Sequence, residues 1–173
     1  ADSAGGLVII DIANIESQLL PGSFESVGNV RGLTLSDDGT KAYVAANHDE
    51  TASNNGFKVL NISSPSTPGL MDYVPTENAY GVAVSNDGTK AYVVGTNGLV
   101  ILDISNPTGV LQIGTFDTNG VVYKVVLSTD GTTAYIAYDG GLAILDITNP
   151  SIPIMLGSYD TQGSATNIVL SDD

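Results

Sequence analysis

One apolar phrase occurs four times in this chain and constrains its fold more than any other feature. Variants of Gly-Leu-Val-Ile-Ile-Asp-Ile begin at residues 6, 56, 98 and 141. A second phrase, Leu-Thr-Leu-Ser-Asp-Asp-Gly-Thr-Lys-Ala-Tyr-Val-Ala at 33–45, recurs at 82–94 and 125–137, and a fourth copy begins at Ile168. A period of about 43 residues that contains only strand and turn signals is typical of β-propellers and related β arrays. The sequence therefore predicts an all-β array of about four repeats.

Each repeat divides into four segments that have the character of β-strands. An Asp-Gly pair links the first segment to the second in three repeats, and Asp-Gly between two strand patterns is typical of a hairpin. The third segment is apolar at consecutive positions, which predicts burial on both of its faces between stacked sheets, with Ile9, Ile101 and Ile144 largely buried. The first segments are Leu33–Ser36, Val82–Ser85, Val125–Ser128 and Ile168–Ser171.

The fourth segment of each repeat is weaker and follows a proline at position 65, 107 or 150. Since proline is tolerated only at sheet edges and in turns, this segment is predicted to be the outer strand. Four antiparallel strands with buried middle strands describe a propeller blade. The fourth segments are Leu70–Val74, Leu111–Phe116 and Met155–Tyr159.

The phrase Leu-Val-Ile-Ile-Asp-Ile, preceded by Ser-x-Asp-Gly-Thr-x-Ala-Tyr-Val and followed by Asn-Pro, resembles the LVIVD repeat of bacterial and archaeal surface proteins. The resemblance covers residues 6–173, although Lys58 and Asn61 interrupt the second copy. It implies a β-propeller and an exported or cell-surface, prokaryotic location, and it supplies no catalytic motif. We interpret residues 1–173 as one partial propeller domain, with repeats at 6–55, 56–97, 98–140 and 141–173.

The two ends of the sequence divide one repeat between them. The first apolar phrase has no Ala-Tyr-Val strand before it, and the last repeat stops at Asp173, before that strand would begin. The missing second strand would leave unpaired sheet edges, which are costly. We expect that the ends either join further sequence or pair with a neighbouring chain.

One rim of the central channel is the candidate ligand site. The residues that enter the innermost strands converge at the channel mouth, where propellers commonly bind ligands. Tyrosine and arginine are favoured in binding sites. The alternative is that these residues only pack between blades. The candidates are Arg31, Tyr80, Tyr123, Lys124, Thr166 and Asn167.

The remaining polar features favour structural roles, and no catalytic or metal-binding residue is predicted. The single histidine, His48, lies in an insert that is read as a solvated loop. The Ser-x-Asp-Gly turns lack the spacing of a calcium loop, so their carboxylates are expected to bond the turn backbone. One polar position recurs in every repeat, and recurrence favours a structural role. The residues at this position are Asp11, Asn61, Asp103 and Asp146.

Composition limits the partners. The 19 acidic residues exceed the 5 basic ones, giving a net charge of −14, which disfavours nucleic acids and anionic membranes. No apolar run approaches the length of a membrane helix. There is no cysteine, and no cofactor is implied. We expect a non-enzymatic structural or adhesive protein that binds other protein, including itself. The alternatives are a rim that binds carbohydrate or peptide and, third, a hydrolase or lyase.

Overall fold

The computed structural model describes residues 6–10, 22–25, 28–47 and 55–171. Over these residues the chain consists of strands and turns, and it has no helix long and apolar enough to cross a membrane. The strands are β1 (Leu7–Ile9), β2 (Gly22–Phe24), β3 (Asn29–Leu35), β4 (Lys41–Asn47), β5 (Gly56–Asn61), β6 (Gly69–Pro75), β7 (Ala79–Val84), β8 (Lys90–Gly95), β9 (Gly98–Asp103), β10 (Leu111–Phe116), β11 (Val122–Leu127), β12 (Thr133–Tyr138), β13 (Gly141–Asp146) and β14 (Ile154–Tyr159).

The strands form four sheets, which we number I to IV along the chain. Sheet I contains only β1 and β2, whereas sheets II (β3–β6), III (β7–β10) and IV (β11–β14) each contain four antiparallel strands in chain order. The strand predicted to be outermost is β6, β10 or β14, at one edge of each four-stranded sheet. The predicted blade is therefore confirmed three times, and the chain forms part of a β-propeller.

Consecutive sheets pack face to face through apolar side chains. We call the face that contacts the following sheet the back face and the opposite one the front face. The back face of sheet II meets the front face of sheet III, and the back face of sheet III meets the front face of sheet IV. Sheet I covers the front face of sheet II through Leu7 and Ile9. The core is thus a series of layers between sheets, as expected for propeller blades.

Burial of the third strand depends on whether both neighbouring sheets are present. All positions of β5 except the last are buried, whereas buried and half-buried positions alternate along β13. Ile101 is fully buried, as predicted, whereas Ile9 and Ile144, which were also predicted to be largely buried, are less enclosed and half-buried. Among the described residues no sheet covers the back face of sheet IV, and sheet I has only two strands. The apolar phrase is similar in all four third strands, so the difference in their exposure follows from whether a neighbouring sheet covers them.

Lys58, which interrupts the apolar pattern of β5, is nevertheless buried. Its ammonium lies 5.3 Å from the ring centroid of Tyr73, a distance that allows a cation–π attraction. Burial lowers the pKa of Lys58 because an apolar environment disfavours the charged form.

The segment Ile168–Ser171 does not form the predicted strand. The preceding turn forms normally, since the Asp160 Oδ1 accepts a hydrogen bond from the Gln162 backbone N–H at 2.7 Å, as Asp117 does from Asn119 in the previous repeat. The first strands of sheets II, III and IV each pair with the second strand of the same sheet. Ile168–Ser171 pairs with no strand among the described residues.

The Asp-Gly turns between first and second strands have a common hydrogen-bond pattern. In the first of them, Asp38 Oδ1 accepts hydrogen bonds from the Ser36 hydroxyl at 2.6 Å and from the Thr40 backbone N–H at 2.9 Å. Asp87 and Asp130 repeat this arrangement, and the following glycines have φ values near 65–71°. The predicted structural role of these carboxylates is confirmed.

The residues that end the third strand also close turns. Asp103 Oδ1 accepts hydrogen bonds from the backbone N–H and the hydroxyl of Ser105, at 2.9 and 2.6 Å. Asn61 and Asp146 make the same pair of bonds, which confirms the structural role predicted for this position. Asp11 and His48 lie outside the described residues.

These turns predict a loss of stability in acid. The hydrogen bond from Ser85 holds the pKa of Asp87 at about 2, and equivalent bonds lower the pKa values of Asp38 and Asp130. A carboxyl whose pKa is lower in the folded state stabilises the fold above its unfolded pKa, and the contribution disappears as pH falls through the folded value. We expect the urea midpoint to fall between about pH 4 and pH 2, and to fall less in the triple Asp→Asn variant. An equal slope in both proteins would contradict this.

Candidate functional site

The inner rim is built from a β-bulge that recurs in each four-stranded sheet. The register between first and second strand skips one residue in sheets II, III and IV. The skipped residues are three of the predicted site residues, Arg31, Tyr80 and Tyr123. A bulge re-aims the side chain of its extra residue and is common next to binding sites. The sequence analysis identified these positions but not the bulge that presents them.

Two of the three bulge residues contact one another. The rings of Tyr80 and Tyr123 meet edge to face with centroids 5.8 Å apart. The Tyr123 hydroxyl donates a hydrogen bond to Asp139 Oδ1 at 2.8 Å, and the Ser164 hydroxyl donates to the same oxygen at 2.9 Å. The bond from Tyr123 lowers the pKa of Asp139, and the same bond raises the pKa of Tyr123. The rim thus contains an aromatic pair beside an ionised carboxylate.

The third bulge residue repeats part of this pattern. Arg31 Nε donates a hydrogen bond to Asn47 Oδ1 at 3.2 Å. Asn47 and Asp139 occupy the same repeat position, four residues after the tyrosine of the second strand. Sequence reasoning missed this position, although an alignment of the Ala-Tyr phrases would have shown that it is polar in each repeat.

The other predicted rim residues do not share the bulge geometry. Thr166 and Asn167 are exposed and lie outside any strand. Lys124 follows the bulge of sheet IV and pairs with Ala137, which places it on the back face of that sheet. The corresponding residues of sheets II and III are Gly32 and Gly81. The structure therefore groups Tyr80 with Tyr123 and places Arg31 on the equivalent bulge.

Lys124 changes how closely another first strand can approach. A Cβ added at Gly32 would lie 2.8 Å from the Cα of Gly81, and one added at Gly81 would lie 3.0 Å from the carbonyl oxygen of Tyr123. Neighbouring first strands therefore meet backbone to backbone at this point. Sheet IV has Lys124 at the equivalent position in place of a glycine.

An open cavity lies at the same end of the sheets as the bulges. Its volume is about 380 Å³, and it is lined by Asn55 and by residues 75–78, which precede the Tyr80 bulge. The side-chain amide of Asn55 donates a hydrogen bond to Asn78 Oδ1 at 3.1 Å. Amides and a nearby aromatic pair are groups that bind polar ligands.

The back face of sheet IV exposes apolar side chains. Leu156 and Tyr159 are 61% and 68% exposed, although their counterparts in sheet III, Ile113 and Phe116, pack against the core between sheets III and IV. Tyr135, Leu142 and Ile144 on this face are half-buried, whereas their counterparts Tyr92, Leu99 and Ile101 are at most 2% exposed. We call this surface the tail patch: Tyr135, Leu142, Ile144, Leu156 and Tyr159.

Within the described ranges, no three His, Asp or Glu side chains come close enough together to hold a metal ion.

A family model described as the LVIVD repeat matches the chain at residues 1–25, 28–76, 78–118 and 124–161. No curated protein matches the chain. Among solved structures, the chain is similar to a protein from Lactobacillus plantarum, with a TM-score of 0.71, 17% identity, and coverage of 91% of this chain and 52% of that one.

The chain is also similar to the periplasmic gluconolactonase PpgL of Pseudomonas aeruginosa, with a TM-score of 0.69 and 14% identity, covering 91% of this chain and 51% of that one. The structure of a nidogen/laminin complex gives a TM-score of 0.63 at 11% identity, with coverage of 94% and 62%. The chain spans about half the length of the first two structures. At these identities the similarity establishes the fold alone.

Proposed function

Since the chain belongs to the LVIVD repeat family, we propose that it is a non-enzymatic structural protein of the prokaryotic cell exterior that assembles with copies of itself. The family, the acidic composition and the absence of cysteine support the location. An adhesive role at the surface would use the same exposed faces. No contact among the described residues favours a hydrolase or lyase, which is the remaining alternative.

The tail patch carries this proposal. In sheets II and III the same face is buried under the next sheet, and its residues form the core. In sheet IV the same face leaves Leu156 and Tyr159 61% and 68% exposed, and Tyr135, Leu142 and Ile144 on that face are half-buried. Exposed apolar patches of this kind on a soluble domain mark protein-binding surfaces. The occupant that fits by repetition is another sheet of the same type.

Self-association can be measured by sedimentation equilibrium over a range of protein concentrations. We expect species heavier than 17.7 kDa, and we expect Leu156→Asp to weaken association about tenfold or more, because a charge would enter an apolar interface. Each copy carries a net charge of −14, so added salt should strengthen association by screening the repulsion.

Leu111→Asp is the matched control for that experiment. Leu111 is 64% exposed, which is close to the 61% of Leu156. It is the first residue of β10, and it remains exposed although sheet IV covers that side of sheet III. We expect this variant to associate like the wild type. A wild-type chain that remains monomeric at all protein and salt concentrations would refute the proposal.

The rim supports a second candidate function, the binding of a carbohydrate or peptide. The observation in its favour is the recurring bulge, which presents Arg31, Tyr80 and Tyr123 at equivalent positions. Tyr123 contacts both Tyr80 and the Asp139 carboxylate. Aromatic faces, a guanidinium and a carboxylate together can stack on sugar rings and bond their hydroxyls.

A glycan array with the purified chain tests this candidate. We expect binding that Tyr80→Ala reduces at least about tenfold, as is usual for a central aromatic contact. Tyr159→Ala, which removes an exposed tyrosine of the outer strand β14 that is not a bulge residue, should leave binding unchanged. Equal binding by wild type and Tyr80→Ala would place the ligand elsewhere.

A further inference from the structure

The chain exposes a second apolar surface, on the side that precedes sheet II. Leu33 of β3 is 39% exposed, whereas its first-strand counterparts Val82 and Val125 are buried. Leu35 is 51% exposed, whereas its counterparts Val84 and Leu127 are half-buried. Ile10 is 50% exposed, although its counterparts in the next three sheets are buried leucines. The groove between β1 and β3 has a volume of about 380 Å³ and apolar walls. We call this surface the head patch: Ile10, Leu33 and Leu35.

The head and tail patches correspond to the two surfaces that meet when consecutive sheets pack together inside the chain. Inside the chain, the back face of each sheet packs on the front face of the next, and this contact occurs between sheets I and II, II and III, and III and IV. The tail patch is a back face that lacks a following sheet among the described residues. The head patch combines a front-face position of β1 with first-strand residues of sheet II that β1 and β2 leave uncovered.

Gly157, on the outer strand of sheet IV, is consistent with a further sheet packing on the tail patch. A Cβ at Gly22 or Gly114 would lie 2.1 or 1.9 Å from the carbonyl oxygen of a proline in the turn of the following sheet, Pro65 or Pro150. Gly157 holds the same register position in β14, opposite Ile144, but no atom lies within 4 Å of its added Cβ. Gly157 is therefore a glycine at the position where the other two outer strands contact the following sheet, but no such contact is made among the described residues.

We infer that the tail patch of one copy binds the head patch of a second copy, head to tail. The inference rests on the proposed self-assembly and specifies its partner surface. In this arrangement the segment Ile168–Leu170 lies between the two copies. Val169 is 82% exposed, and it holds the first-strand position that faces the following sheet, so it is placed to cover Leu33 and Leu35 of the second copy.

The fold supports a closed pair. The chain aligns with about half of the propellers that it resembles, so two copies supply about the length of one such ring. Head-to-tail contacts close into a ring when the rotation between copies allows it. A closed pair contains two identical contacts, each joining one head patch to one tail patch.

Complementation between two variants tests the orientation. Leu35→Asp blocks the head patch and Leu156→Asp blocks the tail patch, and both residues are more than half exposed, so the folded chain should tolerate the charge. We expect each variant alone to sediment as a monomer and an equimolar mixture to form a dimer through its one intact contact. The dimer in the mixture should dissociate at least about tenfold more readily than the wild-type dimer, because it has one contact in place of two.

Other outcomes overturn the inference in distinguishable ways. If Leu35→Asp alone dimerises like the wild type, the contact joins tail to tail; the orientation is then wrong while the proposed self-assembly stands. If the mixture stays monomeric although the wild type dimerises, head-to-tail binding is refuted. A monomeric wild type refutes both proposals. Should either variant lose its circular-dichroism strand signal, Ile10→Asp and Tyr159→Asp replace them, because both residues are exposed on the same patches.

Discussion

Replacing Ile101 with alanine should lower the free energy of unfolding by about 2–5 kcal/mol, the usual cost of truncating a buried isoleucine. Ile101 is fully buried in the middle of β9, between sheets III and IV. Sheets lie on both sides of β9, so relaxation can fill only part of the cavity. Urea unfolding of both proteins at one pH gives the difference directly.

Ile144→Ala is the matched control, because it removes the same atoms at the same repeat position one sheet later. Ile144 is only half-buried, and the back face on which it lies is uncovered within the described residues. We expect a smaller loss, measured at a protein concentration too low for self-association. Equal losses for the two variants would mean that both isoleucines are equally enclosed, contrary to the structure.

The sequence was sufficient to predict the blade but not the surroundings of each blade. Strand number, strand order and the Asp-Gly hairpins depend on local patterns, and those patterns recur in every repeat. The burial of Ile9 and Ile144 depends on whether a neighbouring sheet is present, which a single repeat does not encode. The same limitation applies to Ile168–Ser171, whose residues match a first strand although the segment pairs with no strand among the described residues.

The candidate rim shows the same division between local and tertiary information. The alignment of repeats placed Arg31, Tyr80 and Tyr123 at one position, and the structure gives that position a bulge. The contact between Tyr123 and Asp139 joins the bulge to the end of the second strand, so it depends on register. Register is set by pairing across strands, and the sequence alone does not state it.

Replacing Gly114 with alanine is expected to cost about 1–3 kcal/mol of unfolding free energy, the usual range for overpacking a tight interior. The added Cβ would lie 1.9 Å from the carbonyl oxygen of Pro150, a backbone atom of the next sheet. A backbone atom has no alternative rotamer, so sheets III and IV must separate to admit the methyl group. Separation also loosens the apolar layer between these sheets, which contains Ile101 and Leu145.

Gly157→Ala separates this effect from the intrinsic cost of alanine in an outer strand. Gly157 holds the same register position in β14, and no atom lies within 4 Å of its added Cβ. We expect dilute Gly157→Ala to unfold within about 0.5 kcal/mol of the wild type, as is usual for surface substitutions. Two equal losses would assign the cost to the strand itself. A loss confined to Gly114→Ala would instead show that the distance between adjacent sheets is fixed by backbone contact at their outer edge, the same contact that a docked second copy would make at Gly157.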